Sequence, residues 1–196
     1  GFLFGYKVNG WLGLQAGLAD SMGPEINALS SNDNRFTQMV AATFTVPDSL
    51  GFLKGSEITT GYINGREPSR SDTIQNFYLG VKDIQTPIEN VRLGMAWDVR
   101  KLHGSGNDDH VIGGYLSYQA TDLIQLNLRG EIFEAGSVLS AFSPAISDGW
   151  GITTTADYNV WENAKARFEY RHDHTDQAVH GKTGNHALIW NLIYEF

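Results

Sequence analysis

The residues whose types and spacing bear on chemistry fall into three groups. The first is a set of charged side chains at alternate positions: Lys165, Arg167, Glu169 and Arg171, preceded by Arg92, Asp98 and Arg100 and by Arg129 and Glu131. A period of two puts each set on one face of a β-strand. Charges along the wall of an aqueous passage set ion selectivity through their local field, whereas opposite charges on neighbouring strands pair and stiffen the wall. The set is mainly basic, which points to a weak anion preference. The second group, His172-Asp173-His174-Thr175-Asp176 with His180 and His186, offers imidazole and carboxylate ligands of the kind Zn²⁺ or Cu²⁺ takes. Its irregular spacing reads first as a solvated loop, so no metal is expected. The third, Asn32-Asp33-Asn34 and Asn107-Asp108-Asp109, lacks the ligand pattern of a high-affinity Ca²⁺ loop. No Ser stands in a Gly-x-Ser-x-Gly elbow and no strand pairs a His with a nucleophile. The chain therefore reads as a non-enzyme without a cofactor.

Composition narrows the partners. The chain has 196 residues and a net charge of -8, and no basic cluster of the kind that phosphate backbones require, so nucleic acid is not expected. There is no cysteine, hence no disulfide framework and no thiolate metal site. No apolar run reaches the roughly 18 residues of a membrane-spanning helix. A transmembrane barrel keeps its average hydropathy low because lipid-facing and lumen-facing residues alternate, and the abundance of Gly, Tyr, Trp and Phe with little Pro suits that class.

Strand-like runs of about ten residues recur, and helical periodicity is nowhere sustained. They are expected at 2–8, 11–20, 36–46, 56–64, 73–83, 91–100, 111–120, from 124 through 132, 150–160, 164–172 and 188–196. Asn9-Gly10 suggests a tight type I′ hairpin after the first. Outward faces follow from alternation: Phe2, Phe4 and Tyr6; Val40, Ala42 and Phe44; Phe77, Leu79 and Val81; Leu93, Met95 and Trp97; Leu126 and Leu128; Phe168 and Tyr170. Ten residues at about 3.3 Å each, tilted near 45°, span about 23 Å, the height of a barrel's apolar band. Polar connections at 21–35, 65–72, 103–109, 135–149 and 172–185 follow the even-numbered strands, and short turns follow the odd ones. Trp11, Trp161, Tyr194 and Phe196 fall at the turn ends and Trp97, Trp150 and Tyr170 near the loop ends, as two aromatic girdles.

The last strand, with Trp190, Leu192, Tyr194 and Phe196 on one face and Phe as its final residue, resembles the assembly signature of bacterial outer-membrane β-barrels. In those proteins the terminal strand is what the barrel-assembly machinery reads. With short turns periplasmic, both the first and last strands descend, so an even-stranded barrel is expected to need at least one more strand before Gly1. The expected fold is thus all-β: an antiparallel up-and-down transmembrane β-barrel, with 10–11 strands here as the C-terminal part of one larger barrel domain. Ala156-Asp157-Tyr158-Asn159-Val160-Trp161-Glu162-Asn163, then Ala166-Arg167-Phe168-Glu169-Tyr170-Arg171 and the closing Ile193-Tyr194-Glu195-Phe196, resemble the end of the OmpL-like β-barrel porins. Tyr6-Lys7-Val8-Asn9-Gly10-Trp11-Leu12-Gly13-Leu14 and Leu126-Asn127-Leu128-Arg129-Gly130-Glu131 resemble internal hairpins of that family. The resemblance implies an outer-membrane channel passing ions or small hydrophilic solutes, in contact with outer-membrane lipid and with self-association into a homo-oligomer open to it. The different-class alternative is a structural barrel that anchors or sheathes a partner such as an electron-transfer or adhesion complex; a soluble β-sandwich lectin stands third.

Overall fold

The computed structural model describes residues 1–20, 22, 36–66, 73–142, 148–179 and 181–194. Eleven strands form one antiparallel sheet in which each bonds its sequence neighbours: β1 (Phe2–Lys7), β2 (Leu12–Ala19), β3 (Thr37–Thr45), β4 (Glu57–Arg66), β5 (Thr73–Gln85), β6 (Val91–Leu102), β7 (Asp109–Gln119), β8 (Ile124–Glu134), β9 (Gly149–Trp161), β10 (Ala164–Val179) and β11 (Lys182–Tyr194). The sheet is open: β1 and β11 are its edges, and among the described residues they do not pair.

Register explains why alternation survives across so many strands. Residues opposite one another share a face, and a slip of one would carry every apolar side chain to the wrong side. Val40, Tyr62, Phe77 and Val99 lie opposite in turn across β3 to β6. Leu93, Leu116, Leu128, Thr154, Tyr170 and Leu188 continue such a row across β6 to β11. The expected outward residues therefore form one continuous apolar face. Most of that face is exposed, with Leu188 at 85% and Trp190 at 62% although Val99 is buried, while Asp157 at 4% and Thr153 at 9% lie hidden on the polar face. A curved sheet produces this difference, because side chains crowd on its concave side and splay on its convex side. The core of a globular protein is thus inverted here.

The turns depart from expectation in three places. Asn9 and Gly10 do not take the positive φ that a type I′ turn requires. Instead the Asn9 side-chain Oδ1 accepts the backbone N–H groups of Trp11 and Leu12, both at 2.9 Å, in a wider turn of the Asx kind. The connection after β3 is not short, and it contains the 3-10 helix Asp48–Leu53. The expected loop at 172–185 is mostly strand: β10 runs to Val179, β11 starts at Lys182, and Gly181 turns between them with φ of 78°. Alternation is present in that hairpin but is not apolar, since His172 and His174 face outward and Asp173 inward. The outward imidazoles pack against Trp150 and against one another, His172 edge-on to Trp150 and His174 stacked on it. Trp150 lies 5.2 Å from His172 and 5.5 Å from His174, and His172 lies 4.3 Å from His186 between ring centroids. Expectations on 21 and 23–35, on His180 and on Phe196 lie outside the described residues.

Candidate pore wall

All nine charged residues singled out from the sequence lie on the polar face: Arg92, Asp98 and Arg100 on β6, Arg129 and Glu131 on β8, Lys165, Arg167, Glu169 and Arg171 on β10. Register brings the last two groups together with carboxylates that the sequence reading left out of the set. Arg167 lies opposite Asp157 and donates to it twice, Nε to Oδ1 at 2.7 Å and Nη2 to Oδ2 at 2.8 Å. Such a fork is the strong form of the charge-assisted hydrogen bond. Arg171 Nε donates to Asp173 at 2.8 Å, its Nη2 lies 3.3 Å from Glu131, and Arg129 pairs with the other oxygen of Glu131. Glu169 accepts from the Thr155 hydroxyl at 3.3 Å. Across β8 to β10 the polar face carries Arg129, Lys165, Arg167 and Arg171 against Glu131, Asp157, Glu169 and Asp173. Basic and acidic groups balance.

Elsewhere on this face Asp98 accepts from the Asn76 amide at 2.9 Å, and Lys82 pairs with Glu57 at 2.7 Å. Among the described residues Arg92 and Lys165 have no ion-pair partner. The uncharged part of the wall is also tied across strands, the Ser117 hydroxyl donating to Asn127 Oδ1 at 2.7 Å.

At the loop end, a short helix α1 (Ser137–Phe142) sits in the connection expected to be irregular. Asp109, the first residue of β7 and beyond the apolar band, holds it. Its carboxylate accepts the backbone N–H of Gly136 at 2.6 Å and of Leu139 at 3.0 Å, and Val138 is buried beneath the turn. Because Asp109 lies opposite Arg100 on the polar-face register, the loop folds over the rim of that face. Burial pushes the Asp109 carboxyl above the usual carboxylate range; the Leu139 and Gly136 N–H groups and the Arg100 charge pull the other way and are outweighed. Asn107-Asp108-Asp109 thus belongs to a loop anchor: Asp108 pairs with Lys101 at 2.7 Å. Among the described residues no three His, Asp or Glu side chains converge as metal ligands.

The profile of the family described as "Putative beta-barrel porin-2, OmpL-like" matches residues 1–196. The chain belongs to this family. It is accordingly a porin-family β-barrel of the bacterial outer membrane, and its exposed apolar face is the face such a barrel turns to lipid. No curated protein matches it. Among solved structures it is similar to a loop L8 deletion mutant of OmpT, an outer membrane protein of Vibrio cholerae, with 12% identity and a TM-score of 0.46 over 97% of this chain and 88% of that one. The residues that sequence reading did not single out in this porin-family chain are Asp157, which completes the Arg167 ion pair, and Tyr78 and Tyr115, which share its face; Asp173 was read as a loop ligand and instead pairs with Arg171. Each stands at an inward position of its strand, so alternation alone contained the signal.

Proposed function

We propose that the polar face lines a water-filled channel through which ions and small hydrophilic solutes diffuse, and that the protein performs no chemistry. The observation that carries this reading is the pairing of opposite faces. One is apolar and largely exposed across most of the strands, and the other holds a dense set of charges and amides that are stable only beside water or one another. The balance of charge on β8 to β10 supports weak selectivity, in place of the anion preference that the basic residues suggest when counted alone.

The open sheet bears on the domain. With eleven strands, β1 and β11 run in the same direction, and joining them would make a parallel pair in an otherwise antiparallel sheet. We infer that the barrel is one β domain closed by an odd number of further strands. We infer that Trp190, Leu192 and Tyr194 on the outward face of β11 are what the assembly machinery contacts. The test of the channel reading is conductance of the assembled barrel in planar bilayers. Ohmic current with a reversal potential near zero in a KCl gradient is expected; purified, folded barrel that conducts nothing would overturn it.

A further inference from the structure

The outward face changes character at one level of the β10–β11 hairpin. Along β10 the outward side chains run Phe168, Tyr170, His172 and His174, and along β11 they run His186, Leu188 and Trp190, with Tyr170 opposite Leu188 and His172 opposite His186. Apolar side chains stop and imidazoles begin between those two rows, on the side toward the loops. A lipid-facing surface makes that change where hydrocarbon gives way to headgroups, the depth at which amphipathic rings collect. The imidazoles there are held in place. His174 stacks on Trp150 at 5.5 Å, and His172 stacks on His186 at 4.3 Å between ring centroids. The His172 Nδ1–H donates to the Asn185 carbonyl at 3.2 Å, and the Tyr170 hydroxyl lies 2.8 Å from His186 Nδ1. With Tyr170 donating, His186 carries its proton on Nε2, and that N–H is left to donate elsewhere. The outward neighbours of these rings are Trp150, Ile152, Tyr170, Gly184 and Leu188, so no carboxylate shares the patch.

A groove adjoins the patch on its apolar side. On β9 the small side chains Thr154 and Ala156 lie between Leu128 and Tyr170 in one row and between Leu126 and Phe168 in the next. All six line one outward groove of about 700 Å³. Tyr170 belongs to both parts, since its ring lines the groove and its hydroxyl touches His186. An apolar groove joined to N–H donors at headgroup depth matches a molecule with an acyl chain at one end and a phosphate at the other, because phosphate oxygens only accept and hydrogen-bond strongly to ring N–H groups. A twofold contact with a second copy would set imidazole against imidazole. We propose that the groove and the imidazole patch bind one phosphate-bearing lipid of the outer leaflet, an acyl chain lying over Thr154 and Ala156 and a headgroup phosphate accepting from His186 with His174 beside it. His172 and Tyr170 position His186. The proposal rests on the lipid-facing assignment of this surface and is independent of the channel reading.

Native mass spectrometry of the assembled barrel in neutral detergent, titrated with diphosphoryl lipid A, fully dephosphorylated lipid A and inorganic phosphate, reads the site. One equivalent of the diphosphoryl lipid is expected to bind. The dephosphorylated lipid is expected to bind roughly tenfold more weakly, the loss that follows removal of a hydrogen bond to a charged group, and inorganic phosphate is expected not to be retained. His174→Ala with His186→Ala should bring the diphosphoryl lipid down to the level of the dephosphorylated one. Ala156→Trp fills the groove and should weaken both lipids, whereas Tyr170→Phe keeps the groove and should weaken only the diphosphoryl lipid. Equal binding of the two lipids by the unsubstituted barrel overturns the site without recourse to any variant. An unchanged preference in the double Ala variant, inorganic phosphate bound as tightly as the lipid, or a dimer that excludes lipid overturns it as well. None of these readings depends on conductance, so the channel reading stands or falls separately.

Discussion

Replacing Arg167 by Glu gives the sharpest test of the wall. In the native face Arg167 and Asp157 neutralise one another through two hydrogen bonds, so the wall of β8 to β10 carries no excess charge. The substitution changes that wall by two units and leaves Asp157, Glu169 and the new carboxylate as neighbours. At about 6 Å in water a unit charge acts on a passing ion with roughly 0.7 kcal/mol. A Debye length of about 10 Å at 0.1 M salt reduces this to about 0.4 kcal/mol. Two units then favour a cation and disfavour an anion by about 0.8 kcal/mol each, roughly a tenfold change in their ratio. At 1 M salt, with a Debye length of about 3 Å, the same change falls to about twofold. Reversal potentials of the assembled barrel in KCl gradients at both ionic strengths read this directly. Asp157→Asn moves the wall by one unit in the opposite sense and is expected to favour anions. Unchanged reversal potential in Arg167→Glu at 0.1 M, from a folded barrel, would place Arg167 off the conduction path and refute the argument.

The same architecture sets further expectations. Phe168→Arg places a charge in the apolar outer face and is expected to cost about 2–4 kcal/mol of stability in lipid, while Asn127→Arg on the polar face costs little; refolding titrations into vesicles distinguish them. At Asp109, Ala removes the acceptor for the Gly136 and Leu139 amides and should release them to hydrogen exchange, whereas Asn keeps an acceptor oxygen. Because burial raises the Asp109 pKa against the opposing pull of the loop N–H groups, the buried arrangement around Asp109 is most stable below the usual carboxylate range and loses that increment as pH rises through the raised value; Asp109→Asn should abolish that pH dependence in the protection of the same amides. Asn9→Ala removes both side-chain bonds of the first turn and is expected to cost about 1 kcal/mol, read as a lower denaturation midpoint.

The faces of the strands were legible because a membrane barrel repeats one rule at every position. Leu126, Ala156, Phe168 and Trp190 could be assigned outward without knowing their partners, and the structure sets them side by side in one row. Legibility ended where that rule ends. In the His172–Val179 arm the outward side chains are imidazoles, so apolar periodicity vanishes although the strand continues. At Asp83 the backbone takes φ of 60°, and a bulge between Val81 and Ile84 returns Ile84 to the outer face. Nothing in the local alternation announces that extra residue. Turn geometry failed at Asn9 for a related reason: one dipeptide serves either a tight turn through its backbone or a wider one through its side chain.

The wall was only half legible, for a physical reason of a different order. Sequence spacing says which residues share a strand face, but pairing depends on which strand lies beside it and in what register. Arg167 and Arg171 share one face of β10, yet their partners differ in kind: Asp157 is opposite on β9, Asp173 is on β10 itself, and Glu131 reaches across from β8. Counting charges along one strand therefore finds a basic stripe, whereas counting across three finds balance. Selectivity of such a wall is a property of the sheet. That is why a single reversed arginine, which leaves every strand's apolar pattern untouched, is expected to move ion selectivity without any rearrangement of the fold.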